Sequence, residues 1–249
     1  MTAGQKWSVP AVNDRLTKLP ALEMPVPMWN KPYDPKEMRY LWEETALLLS
    51  ETELMPVDGN RFWEYGRVLN FCSHHLACPC QVLDVGGAGS TLPAAITCLG
   101  HTVIVLDINP EGASKVADLR SAGYDRVFWR YGRAEDLPFP DGVFDCVACI
   151  SVLEHLSDDR PALKEMVRVL KPKGYLVLSF DFVKEARAPS RHQLHLYSEA
   201  EVLDLIGWLD MQGLEPVEPY DYSYAGEHIH CYGDHDSVCN GAMLICQKS

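Results

Sequence analysis

The chain has 249 residues, enough for one large α/β domain or one domain with an N-terminal extension. Its formal net charge of -13 and the absence of any dense basic run argue against nucleic acid as a partner, because polyanions are bound by phosphate neutralisation with Lys and Arg. No apolar run approaches the roughly 18 residues of a membrane span, and MTAGQKWSVPAVNDRL has no apolar signal core, so a cytoplasmic protein is expected. The nine cysteines form no zinc or disulfide framework, which predicts free thiols. Cys146 and Cys149 have C-x2-C spacing, but within the apolar run FDCVACIS they read as small core residues of a strand.

Residues 1–35 are rich in proline and read as an extended arm, followed by a predicted helix over 36–50. A second helix is predicted over 60–77, with Phe62, Tyr65, Leu69 and Cys72 on one face. From residue 81 strands and helices alternate. QVLDVG, HTVIVLDI, RVFWRYG, FDCVACIS and YLVLSFDF read as strands. TLPAAITCLG, EGASKVADLRSAG, DRPALKEMVRVLKPKG and SEAEVLDLIGWLDMQG read as helices, the last with a capping box of Ser198 and Glu201. Two further strands are expected near EPVEPYD and GAMLICQKS, with no helix between them and an antiparallel pairing at the sheet edge. This order predicts parallel βαβ units in a Rossmann-like, seven-stranded, mostly parallel sheet with an antiparallel C-terminal edge strand. Residues 1–77 form an N-terminal helical cap or lid in this reading, and 78–249 the sheet domain.

The segment VLDVGGAGS, residues 82–90, ends a strand in a glycine-rich turn that leads into a helix. Glycines permit positive φ and close approach of the backbone to a ligand, and the turn falls at the carboxyl end of a strand, where open α/β sheets bind. A plain tight turn would look similar. Asp107 ends the next strand, roughly 20 residues on, where an acid can accept hydrogen bonds from both ribose hydroxyls. These two elements suit any adenosine-containing cofactor, nicotinamide cofactors included.

The next segments narrow the choice. GRAEDLPFPDGVFDCVACISVLEHLSD, KPKGYLVLS and HLYSEAEVLDLI carry, in order, an acidic loop, an LPF…FD link, an LEH element, an LKPGG-like turn and the lead into a last helix. Across residues 81–249 the chain resembles the class I methyltransferases, and within them the small-molecule type 11 group. NRFWEYGRVLN also looks like the WEYP helix of some sugar- and polysaccharide-related members. The resemblance implies S-adenosyl-L-methionine as cofactor and a small-molecule or sugar acceptor, methylated at a hydroxyl or an amine. It implies that Asp84, Gly86, Gly87, Ala88 and the loop through Ser90 cradle the methionine end. Asp107 would hold the ribose, Ile108 would pack beside adenine, Ala134 and Glu135 would lie near its edge, and Ser151 would face the reacting centre. The chain departs from the family loop in placing Ala88 and Ser90 where glycines are usual, and in carrying Arg133 where relatives have Asp.

A hydroxyl acceptor calls for a base near neutral pKa, and His155 and His195 are the candidates. His155 could equally cap its turn, and His195 could lie in an exposed loop. His192, also after strand five, is a candidate acceptor contact. EHIHCYGDHD, with His228, His230 and Asp236, could bind acceptor or a divalent ion, but a polar hairpin loop without metal is the simpler reading. The aromatics Trp7, Trp29, Trp42, Trp63, Tyr33, Tyr40 and Tyr65 suit a lid over cofactor and acceptor, as relatives use such segments. The competing readings are a nicotinamide oxidoreductase and a non-catalytic cofactor-binding protein. The first leaves the LPF…FD and LEH elements unexplained and lacks a Tyr-x-x-x-Lys pair. The second has only the altered glycine loop in its support.

Overall fold

The structure, a computed structural model, describes residues 59–186, 188–189, 194–222, 229–230 and 238–249. The expected arm over 1–35 and helix over 36–50, and the candidates His192, His228 and Asp236, lie outside the described residues. Of His230, only the backbone is described.

The chain enters through helix α1 (Gly59–His75) and continues as β1 (Gln81–Val85), α2 (Leu92–Cys98), β2 (Thr102–Asp107), α3 (Gly112–Ser121), β3 (Val127–Tyr131) and β4 (Phe144–Ile150). A 3-10 turn (Leu153–His155) leads to α4 (Arg160–Val169), β5 (Leu170–Val183), β6 (Tyr197–Ser198), α5 (Glu199–Met211), β7 (Leu214–Pro216), β8 (Ile229–His230) and β9 (Val238–Lys248). The main sheet runs β3-β2-β1-β4-β5-β9-β7, with β6 beside β5 and β8 beside β9. Strands β1 to β5 pair in parallel; β9 runs antiparallel between β5 and β7, which gives the sheet its antiparallel C-terminal edge.

Alternation along the strands divides the core into two. Leu83, Val85, Val147, Cys149, Leu176 and Leu178 point to one face and pack with Leu163 and Met166 of α4 and Leu205 and Leu209 of α5. Val82, Cys146, Ala148, Ile150 and Val177 point to the other and pack with Trp63, Leu69 and Phe71 of α1 and Ile96 of α2. Strands covered on both faces read as near-continuous apolar runs, which is what FDCVACI and YLVLSF are. A hydrogen bond donated to Cys72, and then burial, raise the Cys146 thiol well above its ordinary range, and burial does the same to Cys149.

Two expected elements differ. The helix expected over 159–174 ends at Val169, and β5 begins at once. Pro172 disfavours helical backbone at Lys171 and has no amide hydrogen to donate. KPKG is therefore an irregularity within β5, where the register against β4 shifts, with Lys173 at φ 63°. The strand near EPVEPYD shrinks to Leu214–Pro216, since Pro216 and Pro219 cannot donate to a ladder. The capping box of α5 is present: Ser198 Oγ accepts from Glu201 N, and Ser198 N donates to the Glu201 carboxylate at 2.8 Å.

Candidate active site

The carboxyl ends of β1, β2, β4 and β5 converge on one edge of the sheet, and the predicted site residues are spread along it. After β1 the chain turns at Gly86, whose φ of 78° suits glycine and whose amide donates to Leu106 O at 2.7 Å. A β-carbon there would lie 2.4 Å from Val152, so the glycine turn packs directly on the turn that follows β4. At Gly87 a β-carbon would lie 2.0 Å from Asp84 Oδ2. The buried Asp84 carboxylate thus lies beneath the loop and shapes it from inside.

Asp107 reaches the loop from β2. Its Oδ2 accepts from Ala88 N at 3.0 Å and its Oδ1 from Asn109 N at 2.8 Å. A carboxylate has about four lone-pair positions, so both oxygens keep capacity to accept hydroxyl protons. Asp107 is half-buried, and Ile108 beside it is 57% exposed, an apolar side chain left for a flat ligand to cover. Ser90 closes the loop: its Oγ accepts from Leu92 N at 3.0 Å and shares a 2.8 Å hydrogen bond with the Tyr65 hydroxyl of α1. Ala134 is buried after β3. Glu135 turns its carboxylate to the exposed Arg133 at 3.0 Å, so the unusual arginine and the adjacent acid satisfy each other.

Ser151 stands at the end of β4 with φ 51°, in the left-handed region. Its amide donates to Ser179 O at 3.1 Å and to Ser179 Oγ at 3.0 Å. The Ser151 and Ser179 hydroxyls both donate to one oxygen of Glu64, at 2.5 and 2.7 Å. Glu64 comes from α1 and is only 3% exposed. Nothing local in the sequence marks Glu64, although it is the acid of the WEY segment. Tyr65, a helix-face aromatic by its spacing, ties α1 to the glycine loop through its bond to Ser90.

The histidines divide. His155 ends the 3-10 turn and is exposed. His195 is half-buried, with Nε2 3.5 Å from Glu201 Oε1 and its ring edge-on to Tyr197 at 4.4 Å. Burial alone would raise the Glu201 carboxyl, but hydrogen bonds from Ser198 and the nearby His195 hold it below its ordinary value. The Tyr197 hydroxyl donates to Asp159 at 2.5 Å; burial and that carboxylate push its pKa far up, so it remains a donor. The backbone brings the two histidine segments together, since Leu194 N and His195 N both donate to Glu154 O.

On β9, Asn240 pairs in register with Phe182 of β5, which pairs with Tyr197 of β6. Asn240 is fully buried, and among the described residues neither end of its amide finds a partner. Among the described residues, no group of three His, Cys, Asp or Glu is arranged to hold a metal, and no helix is long and apolar enough to cross a membrane.

Residues 83–178 match the family model described as methyltransferase domain. The chain is 27% identical over 205 residues to a demethylmenaquinone methyltransferase of Clavibacter sepedonicus, covering 82% of this chain and 79% of that one. It is 33% identical over 165 residues to a ubiquinone/menaquinone biosynthesis C-methyltransferase of Serratia proteamaculans, covering 64% of this chain and 62% of that protein. A SAM-dependent methyltransferase structure from Methanosarcina mazei, 21% identical, superposes with a TM-score of 0.55 over 70% of this chain and 94% of its own. The matched model spans the loop after β1, Asp107, the LPF…FD link and Ser151, the same positions that line the carboxyl edge. The stretch from β1 to β5 therefore carries the match to a methyltransferase domain, on a fold shared with a SAM-dependent methyltransferase structure.

Proposed function

We propose that the chain methylates a small hydroxylated ring compound, and that the acceptor loses a hydroxyl proton as the methyl group arrives. The observation that carries the cofactor half is the half-buried Asp107 carboxylate, anchored to the glycine loop and still able to accept from ribose hydroxyls. The residues present fit S-adenosylmethionine: Asp107 for the ribose, Ile108 for the adenine face, and the turn from Gly86 to Ser90 for the methionine end. When bound, the cofactor supplies an electrophilic methyl group on a sulfonium.

What the protein adds is position and proton removal. His195 is the better placed base. Glu201 Oε1 lies 3.5 Å from its Nε2, and Tyr197 packs edge-on against the imidazole. Asn240 offers an amide donor and an acceptor, and Phe182 lies 5.8 Å from Tyr222 beside it. A flat ring bearing a hydroxyl would satisfy both kinds of surface. The names of the two relatives favour a ring carbon as the methyl's destination, since a ring hydroxyl that loses its proton makes the neighbouring ring carbons nucleophilic. A sugar or simple alcohol hydroxyl, methylated on oxygen, is the second reading, favoured by the WEY segment.

The test is incubation with S-adenosylmethionine carrying a labelled methyl group and three acceptor sets: quinols, sugars and amines. Label on a quinol ring carbon, with loss of turnover in His195→Ala, is the expected result. Label confined to amines, or to sugars, would overturn the ring-acceptor reading.

A further inference from the structure

We propose that Asn240 sets acceptor specificity: its amide receives a second ring oxygen, on the side of the ring away from the hydroxyl that loses its proton to His195. This rests on the ring-acceptor reading above and narrows the acceptor to rings carrying two oxygens.

Asn240 stands near the start of β9, where that strand runs antiparallel to the carboxyl end of β5. Residues directly opposite each other in a ladder project to the same face. Asn240 is opposite Phe182, and Phe182 is opposite Tyr197 of β6, so the three form a row across the sheet. Phe182 and Tyr197 belong to the core layer that packs with α4 and α5, and Asn240 lies on that face with them. Neighbouring strands are about 4.8 Å apart, which makes the row about 10 Å long. His195 packs at the Tyr197 end, with ring centroids 4.4 Å apart. The amide and the candidate base therefore stand at opposite ends of the row, with aromatic rings between them.

Asn240 is fully buried, and among the described residues neither its Nδ2 nor its Oδ1 has a hydrogen-bond partner. Such an amide costs stability, and an apolar side chain of similar shape would serve the fold better. Its main chain already pairs with β5, so the ladder does not need the side chain. Along the same face of β9, Ala242 and Leu244 are apolar. The Tyr222 hydroxyl, on a ring 5.8 Å from Phe182, is committed to Met243 O at 2.7 Å. Among the described residues nothing uses the amide, whereas a ligand oxygen would.

A hydroxyl both donates and accepts, so it suits an amide with both ends open. A ring with a single oxygen, given to His195, leaves Asn240 unpaired and loses that bond in the transition state. A ring with oxygens on opposite sides spends one at each end of the row. Sites that hold a buried polar group for a substrate oxygen discriminate strongly against analogues lacking it. Phe182 and Asn240 are both shielded from solvent, so the ring reaches them by parting the side chains around them.

Asn240→Leu keeps the forked shape and removes both polar ends. Thermal unfolding of the full chain without ligands is expected to show Tm raised by about 3 °C in the variant. An unchanged or lower Tm, or a variant that does not fold, would mean that the fold uses the amide, and overturns the inference. Turnover is then compared with S-adenosylmethionine and two probes, 1,4-dihydroxybenzene and phenol. The wild-type chain is expected to favour 1,4-dihydroxybenzene in kcat/KM by at least about tenfold, and Asn240→Leu by less than about twofold. A structural role would lower both rates alike and leave the ratio as it was, and a ratio kept in the variant overturns the inference. Equal use of the two probes by the wild-type chain also overturns it, and leaves the ring-acceptor reading standing. Methylation of neither probe by the wild-type chain overturns that reading, and the inference with it.

Discussion

Asp107→Ala is expected to weaken S-adenosylhomocysteine binding by about 100-fold, read by calorimetry on the full chain. Hydrogen bonds to a charged group contribute about 1.5–3 kcal/mol each, and a ribose offers two hydroxyls. The same substitution releases Ala88 N and Asn109 N, which the carboxylate holds at 3.0 and 2.8 Å, so the loop loses its anchor as well as its ligand contact. Asp107→Asn should not rescue. Its amide oxygen can replace one acceptor, but the amide nitrogen would then face another donor, either a backbone N–H or a ribose hydroxyl that needs an acceptor. The unliganded protein should lose far less, and the rise in Tm that S-adenosylhomocysteine gives the wild-type chain should largely disappear in the variant. Wild-type affinity in Asp107→Ala would show that the ribose is held elsewhere.

Trp63→Ala is expected to cost about 3–5 kcal/mol of stability, as for other fully buried aromatic truncations. At about 2–4 °C per kcal/mol for a chain of this size, Tm should fall by on the order of 10 °C. Trp63 is fully buried, packs within 3.2 Å of where a β-carbon of Gly241 would stand, and carries Arg67 over its ring. Gly241 on β9 has no side chain in the indole's way, so α1 seats on the sheet across that glycine. Removing the indole would leave a cavity between α1 and β9 and loosen Glu64, one residue along. Trp63→Phe keeps much of the volume and should lose markedly less. An unchanged Tm in Trp63→Ala would mean that α1 is a detachable cover, whereas its packing against Val82, Ala148 and Ile245 makes it a layer of the core.

The alternating strands and helices from residue 81 onward were legible because period-2 and buried apolar runs, punctuated by Gly100, Gly123 and the Ser198 cap, are local properties. The helix end at Val169 was legible too, had Pro172 been given more weight than the apolar periodicity that continues through Leu170. The strand order was not local: β9 enters between β5 and β7, and only long-range pairing such as Leu178 with Leu244 decides that. In the site, the glycine loop and Asp107 announced themselves because strand-end position and spacing are written in the chain. Ser151 came only through resemblance. Glu64 escaped because nothing in its own helix says that Ser151 and Ser179, each 87 or more residues away in sequence, will donate to it. Asn240 escaped for the same reason, since an asparagine near a strand start reads as turn chemistry until the sheet buries it.

A crystal structure of the full chain grown with S-adenosylhomocysteine tests the central claim most directly. The account predicts both ribose hydroxyls on the Asp107 carboxylate, adenine over Ile108, and the sulfur beside Ser151 with Glu64 behind it. Ligand density away from the turn after Val85, or an Asp107 carboxylate that no ribose touches, would contradict it.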